Sequence, residues 1–197
     1  MMKFSPKAVV PVVILIIGAV FMSSLFGCSG KFSYDKYYSK TPGLEVSLDY
    51  LKGWQVKESR NAQLGFTLIT FLAPDKKENR FSAKMALVVK EIGPGLALDE
   101  LAKEAMDKAM QMKEFRLISN RQVNIAGKPA AEIVVTYLTL DGLHRAGSGL
   151  IPVKERMVIR KSSGRSYLLR YENTAADFSK LDPAFSHISH SLILGKK

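Results

Sequence analysis

Few side chains in this 197-residue sequence are placed to do chemistry. One thiol is present, Cys28, so no internal disulfide can form. As a thiolate it would be a nucleophile toward an acyl or lipid donor. His187 and His190 stand three apart, which brings two imidazoles to one helix face. With a carboxylate they would make a weak candidate metal site. No His-Glu-x-x-His or Glu-x-x-His pattern surrounds them, so the plainer reading is an exposed polar face opposite Phe185 and Ile188. No metal or other cofactor is expected. His144 lies beside Arg145 in a Gly-rich stretch, with solvent as its expected partner. Gly147-Ser148-Gly149 lacks the wider spacing of a nucleophile elbow, and no phosphate loop or dinucleotide fingerprint occurs. Asp99, Glu100, Glu104 and Asp107 fall on the solvated side of one helix. No catalytic residue is expected, and the chain is read as a non-enzyme.

The setting of Cys28 is more informative. Lys3 and Lys7 give a positive start, Ala8 to Met22 is uncharged and apolar, and Ser23 and Ser24 lower the hydrophobicity. This is the layout of a secretory signal peptide, and its run is shorter than the 18 or so residues of a spanning helix. Adding Ser23 to Phe26 would lengthen it enough for an uncleaved anchor. Leu25-Phe26-Gly27-Cys28 resembles the bacterial lipobox, with an aliphatic residue three before the cysteine and a small one directly before it. Phe26 departs from that pattern, where a smaller residue is usual. The resemblance implies that Cys28 is the lipidation site, receiving diacylglycerol, and that cleavage leaves it first in the mature chain. Acyl chains then suffice for anchoring, at about 0.8 kcal/mol for each buried CH2. Ser29 after the cysteine points to the outer membrane in a Gram-negative cell.

The formal net charge is +11, and from Cys28 onward 27 basic residues face 18 acidic ones, leaving +9. Such a surface attracts anionic partners. Export disfavours nucleic acid. Lys154, Arg156, Arg160, Lys161 and Arg165 cluster about one predicted hairpin, and Lys76 and Lys77 flank another turn. They could hold anionic lipid headgroups or an acidic protein, although solubilising charge is the simpler account.

Residues 1–27 therefore read as a lipoprotein signal peptide, 28–43 as a lipidated tether, and 44–197 as a single domain. In the tether, Tyr34, Tyr37 and Tyr38 are expected to pack back on the domain, with the lipid interface as the alternative. Within the domain, Leu44, Val46, Leu48 and Tyr50 alternate with polar residues, as a half-buried strand does. Strands are predicted around Trp54–Glu58, Phe66–Pro74, Arg80–Ile92, Phe115–Ile125, Ala130–Leu140, Glu155–Lys161 and Ser166–Tyr171. Leu98, Leu101, Ala102, Ala105, Met106 and Ala109 recur at helical spacing, with Asp99 and Glu100 where the helix dipole favours acids. Met106, Met110 and Met112 are expected in the core, with a sticky binding face as the alternative. A second helix is predicted from an Asp182 cap and Pro183 at its first position. Seven or eight strands with short turns imply an antiparallel α+β domain, its sheet flanked by helices.

Gly53-Trp54, the stretch Ala126–Tyr137 and the closing Phe178–Leu194 resemble the PsbP-type fold, whose superfamily includes PsbP and DcrB-like bacterial lipoproteins. The resemblance implies a central antiparallel sheet with helices on both faces, an α/β/α sandwich, and an accessory role outside the cytoplasm. It carries no catalytic residues across, and Trp54 is read as a core anchor. The expected function is a membrane-anchored cell-envelope lipoprotein, facing the periplasm or exterior, that docks an envelope protein and aids assembly or stability. A small-ligand or metal-binding lipoprotein, with a pocket near the loop 141–152, is the alternative, and an envelope enzyme the third. A concave apolar cavity with convergent polar groups would favour the ligand reading.

Overall fold

Strand alternation in this chain works on two faces at once. In β8 (Leu150–Ser162) the adjacent residues Val158 and Ile159 are both buried, yet they enter different apolar clusters. The sheet that contains β8 is therefore covered on both sides. The computed structural model describes residues 32–74, 81–140 and 149–195. Along the chain run β1 (Tyr34–Tyr38), β2 (Val46–Leu51), β3 (Gln55–Asn61), β4 (Phe66–Leu72), β5 (Lys84–Glu91), α1 (Leu98–Ala109), β6 (Lys113–Ile125) and β7 (Lys128–Leu140). After β8 come β9 (Arg165–Thr174), α2 (Phe178–Ser191) and β10 (Ile193–Leu194).

Seven strands form one antiparallel sheet in the order β3-β4-β5-β9-β8-β7-β6, and β1-β2-β10 form a small second one. The β6–β7 turn sets Ala126 at φ 51° and Gly127 at φ 74°, the left-handed pair that a tight hairpin needs. On one face Phe185 and Ile188 of α2 join Leu48 of β2 with Ile69, Leu87 and Leu169 of the large sheet. On the other face Leu101, Ala102 and Ala109 of α1 cluster with Ile133, Val135 and Met157. The architecture is mostly antiparallel sheet with two helices. The small sheet shares one face with α2, so the helix-flanked sandwich expected from the sequence is only partly realised. Trp54 packs, half-buried, against the α2-side core.

Three expectations change. First, the segment read as a tether is folded from Phe32. Its Tyr34–Tyr38 pairs antiparallel with β2, so the compact body spans Phe32–Lys197 and contains both cores, and does not start at Leu44. The buried Tyr37 ring meets Phe71 edge-on at 5.6 Å, and its hydroxyl donates to Glu58 at 2.5 Å. Tyr34 is half-buried against the same core, whereas Tyr38 is 66% exposed. Second, α2 begins at Phe178, leaving Pro183 inside the helix. Asp182 does not cap it. Its carboxylate accepts from Arg156 at 2.9 Å, tying the helix to the sheet. Third, α1 stops at Ala109, so only Met106 packs against the core. Met110 and Met112 fall beyond the apolar stripe, 56% and 37% exposed.

Candidate functional site

The packing of α1 on the large sheet leaves a cavity of about 290 Å3. Its origin lies in side-chain size. The helix lowers Ala105 and Ala109 toward the sheet, where larger residues would fill the space. Opposite, β8 and β9 send alternate residues upward, apolar at Met157, Ile159 and Leu168 but charged at Glu155 and Arg170. The register sets Met157 against Arg170 and Glu155 against Glu172, so the charged groups adjoin on one face of two neighbouring strands.

These charges form a closed set. Glu155 is 1% exposed, and its carboxylate accepts from Arg170 Nε and from the Tyr137 hydroxyl at 3.2 Å. Behind them Lys84 pairs with Glu172 at 3.0 Å. Burial pushes the Tyr137 phenol far up, with the charges of Glu155 and Glu172 adding to it. Burial alone would lower Arg170, but the Glu155 carboxylate outweighs it and raises the guanidinium above its ordinary value. Buried ions of this kind persist only when paired and hydrogen-bonded. At the mouth, Lys90 and Lys108 both reach Glu104, at 3.2 and 2.9 Å. The pairing with Lys108 is the main cause that holds the Glu104 carboxyl low. The arrangement can receive a small molecule with an apolar body and a polar end.

The sequence-predicted groups lie elsewhere. Cys28, Lys76, Lys77, His144 and the Gly147-Ser148 pair fall outside the described residues. His187 and His190 keep their helical spacing, but their rings go separate ways. Nε2 of His187 is 3.0 Å from Asp49 Oδ2, and Nδ1 of His190 is 2.7 Å from the Ser186 carbonyl. Among the described residues no group of three His, Cys, Asp or Glu could hold a metal ion. The basic hairpin is taken up by partners, with Lys154, Arg156, Arg160 and Arg165 on the α2 face of the sheet and Lys161 alone on the other. Arg156 grips Glu132 and Asp182, and Arg160 donates to the Leu192 carbonyl at 2.9 Å. Lys161 donates to Leu96, Arg165 donates to Gly43, and Lys154 sits over the Phe178 ring. These cations hold the fold together and do not form one free surface.

Sequence reasoning missed the Glu155–Arg170–Tyr137 group. The signal was present, since Glu155 stands in phase with Val153, Met157 and Ile159, and an acid on an apolar strand face needs a partner. It also missed the Glu58 clasp. Glu58 on β3 accepts from the hydroxyls of Tyr37, Ser39 and Thr41 and from the amides of Lys40 and Thr41. Burial would raise this carboxyl, but those donors outweigh it and bring it down to about 2.

Solved structures with this fold come from distant bacteria. Cyanobacterial PsbP (CyanoP) from Synechocystis is 14% identical, covering 86% of this chain and 96% of its own, with a TM-score of 0.57. LpqN of Mycobacterium tuberculosis, described as involved in cell envelope biogenesis, is 12% identical, covering 84% and 92%, with a TM-score of 0.53. A Pseudomonas aeruginosa protein of unknown function is 16% identical, covering 83% and 99%, at 0.52. The expected PsbP-type fold is thus borne out, while no curated protein sequence matches. The family described as "Probable lipoprotein LpqN" (Lpp-LpqN) matches residues 36–193, most of the folded body, and the chain belongs to that family.

Proposed function

We propose that this protein is a lipid-anchored, non-catalytic accessory protein of the cell envelope, held to a membrane through Cys28 and facing the periplasm or exterior. In a Gram-negative cell, Ser29 favours the outer membrane. The observation that carries the reading is one of position. The match to a lipoprotein family starts at residue 36, eight residues after the cysteine of a lipobox-like Leu25–Cys28. The described role of LpqN in envelope biogenesis supports placing this chain's work there. Its partner is an envelope protein whose assembly or stability it aids. Crosslinking in intact membranes, followed by identification of captured proteins, tests this. A specific envelope protein lost on Cys28→Ser supports it, and an unchanged capture pattern contradicts it.

A second reading has its own observation, the cavity under α1. A volume of about 290 Å3 with apolar walls and a Glu155–Arg170 floor suits a small ligand with one polar end. Native mass spectrometry of protein purified from its membrane tests it. A stoichiometric small molecule that disappears when Ala105→Phe fills the space supports it, and an empty parent protein contradicts it.

A further inference from the structure

We propose that the corner where α1 ends and β6 begins rests on an anionic bilayer surface. Met110, Met112, Leu117 and Ile118 are four of the eight exposed large apolar side chains among the described residues. Leu140 and Leu150, paired with each other at the same end of the sheet, are two more. Apolar surface gathered in one place marks a contact with a partner or a membrane. The backbone builds this exposure. α1 stops at Ala109, Glu114 turns the chain at φ 53°, and a register shift between Leu117 and Ser119 frees Ile118 from the ladder. Cations interleave the apolar tips. Lys113 and Arg116 are exposed on either side of the exposed Glu114, and Lys108, 72% exposed and paired to Glu104, stands two residues before Met110. Apolar tips among basic residues are what a charged lipid interface takes up.

The short link to the anchor selects a bilayer as the occupant. Three residues separate Cys28 from Phe32, a reach of at most ~14 Å. Seven strands make a sheet ~29 Å wide, so a body on that link touches the membrane. One row of paired residues, Gln55–Leu72–Lys84–Glu172–Glu155–Val135–Leu117, crosses the sheet. Gln55 lies just after Lys52, whose amide donates to Ser33 where the chain enters the body. The entry point and the apolar corner therefore belong to the same end of the sheet. This proposal rests on the reading of Cys28 as a lipid site.

The test uses the body Phe32–Lys197, which holds both cores, in flotation with phosphatidylglycerol or phosphatidylcholine vesicles. It is expected to float with the first and not the second, and to be released by salt. Arg116→Gln should weaken binding about fivefold, and Met110→Ser with Ile118→Ser several-fold. Lys128→Gln, exposed at the opposite end of the β6–β7 hairpin, should match the parent. Equal loss from Lys128→Gln, or no flotation, overturns the proposal, as does a body that ignores vesicles but crosslinks to a protein through this corner. Fatty-acid labelling of the full chain separates the two readings. A labelled chain whose body ignores vesicles sinks the bilayer contact alone, and an unlabelled chain removes the anchor and the proposal with it.

Discussion

Tyr34 lies over His187, their ring centroids 4.1 Å apart and their planes at 25°. The stack fastens the first strand of the body to α2, and Asp49 completes the contact at 3.0 Å from the same imidazole. Tyr34, in the segment read as a tether, thus packs back on the domain as expected. Tyr34→Ala should lower stability by about 1 kcal/mol and speed hydrogen exchange in β1 before the rest of the body. Uniform exchange across the molecule would show that β1 is not fastened this way.

The Glu58 clasp gives a pH signature. Its carboxyl sits at about 2 against an ordinary 4.5. A depressed folded value means that the stabilisation is fully present above about pH 4.5 and drains away as pH falls toward 2. Since Glu58 is partly solvated, the contribution after screening is about 1 kcal/mol. Melting curves of parent and Glu58→Gln should therefore converge as the solution is acidified. Curves that stay a constant distance apart would contradict the clasp.

Arg156 is the bridge between the sheet and α2. Its guanidinium donates to Glu132, Asp182 and Ser186, and Glu132 is only 2% exposed. Burial would raise the Glu132 carboxyl, but Arg121 and Arg156 hold it below its ordinary value. Arg156→Met leaves Arg121 as the remaining partner, so the expected loss is about 2 to 4 kcal/mol. Arg156→Met combined with Glu132→Met should recover much of it, because no buried charge is then stranded. A double variant no better than the single one would show that the pair's worth lies elsewhere.

The cavity predicts its own behaviour. Ala105→Phe places new carbon into empty space, so thermal stability should hold or rise. Glu155→Leu, by contrast, strands Arg170 and should cost about 3 kcal/mol. A strong destabilisation by Ala105→Phe would show the space under α1 to be closed already.

Much of the fold was legible because alternation and helical spacing are local signals. Met85, Leu87 and Val89 share a face in the sequence and in the core, and Leu101, Ala102 and Ala109 do the same on α1. Tyr34–Tyr38 hid its strand, because its one buried ring, Tyr37, depends on Glu58 from 21 residues away. Met110 and Met112 kept the helical period after the helix itself had stopped. His187 and His190 had the spacing of a pair, but Asp49 and Ser186 decided where the rings went. Glu155 and Arg170 became a site only through strand register, which no single segment reveals.

The central claim is that Cys28 carries lipid. Intact mass and N-terminal sequencing of protein extracted from its native membrane test it most directly. The account predicts a chain that begins at Cys28, heavier than its peptide mass by acyl groups. A chain retaining Met1 to Gly27 with a free Cys28 thiol would contradict it.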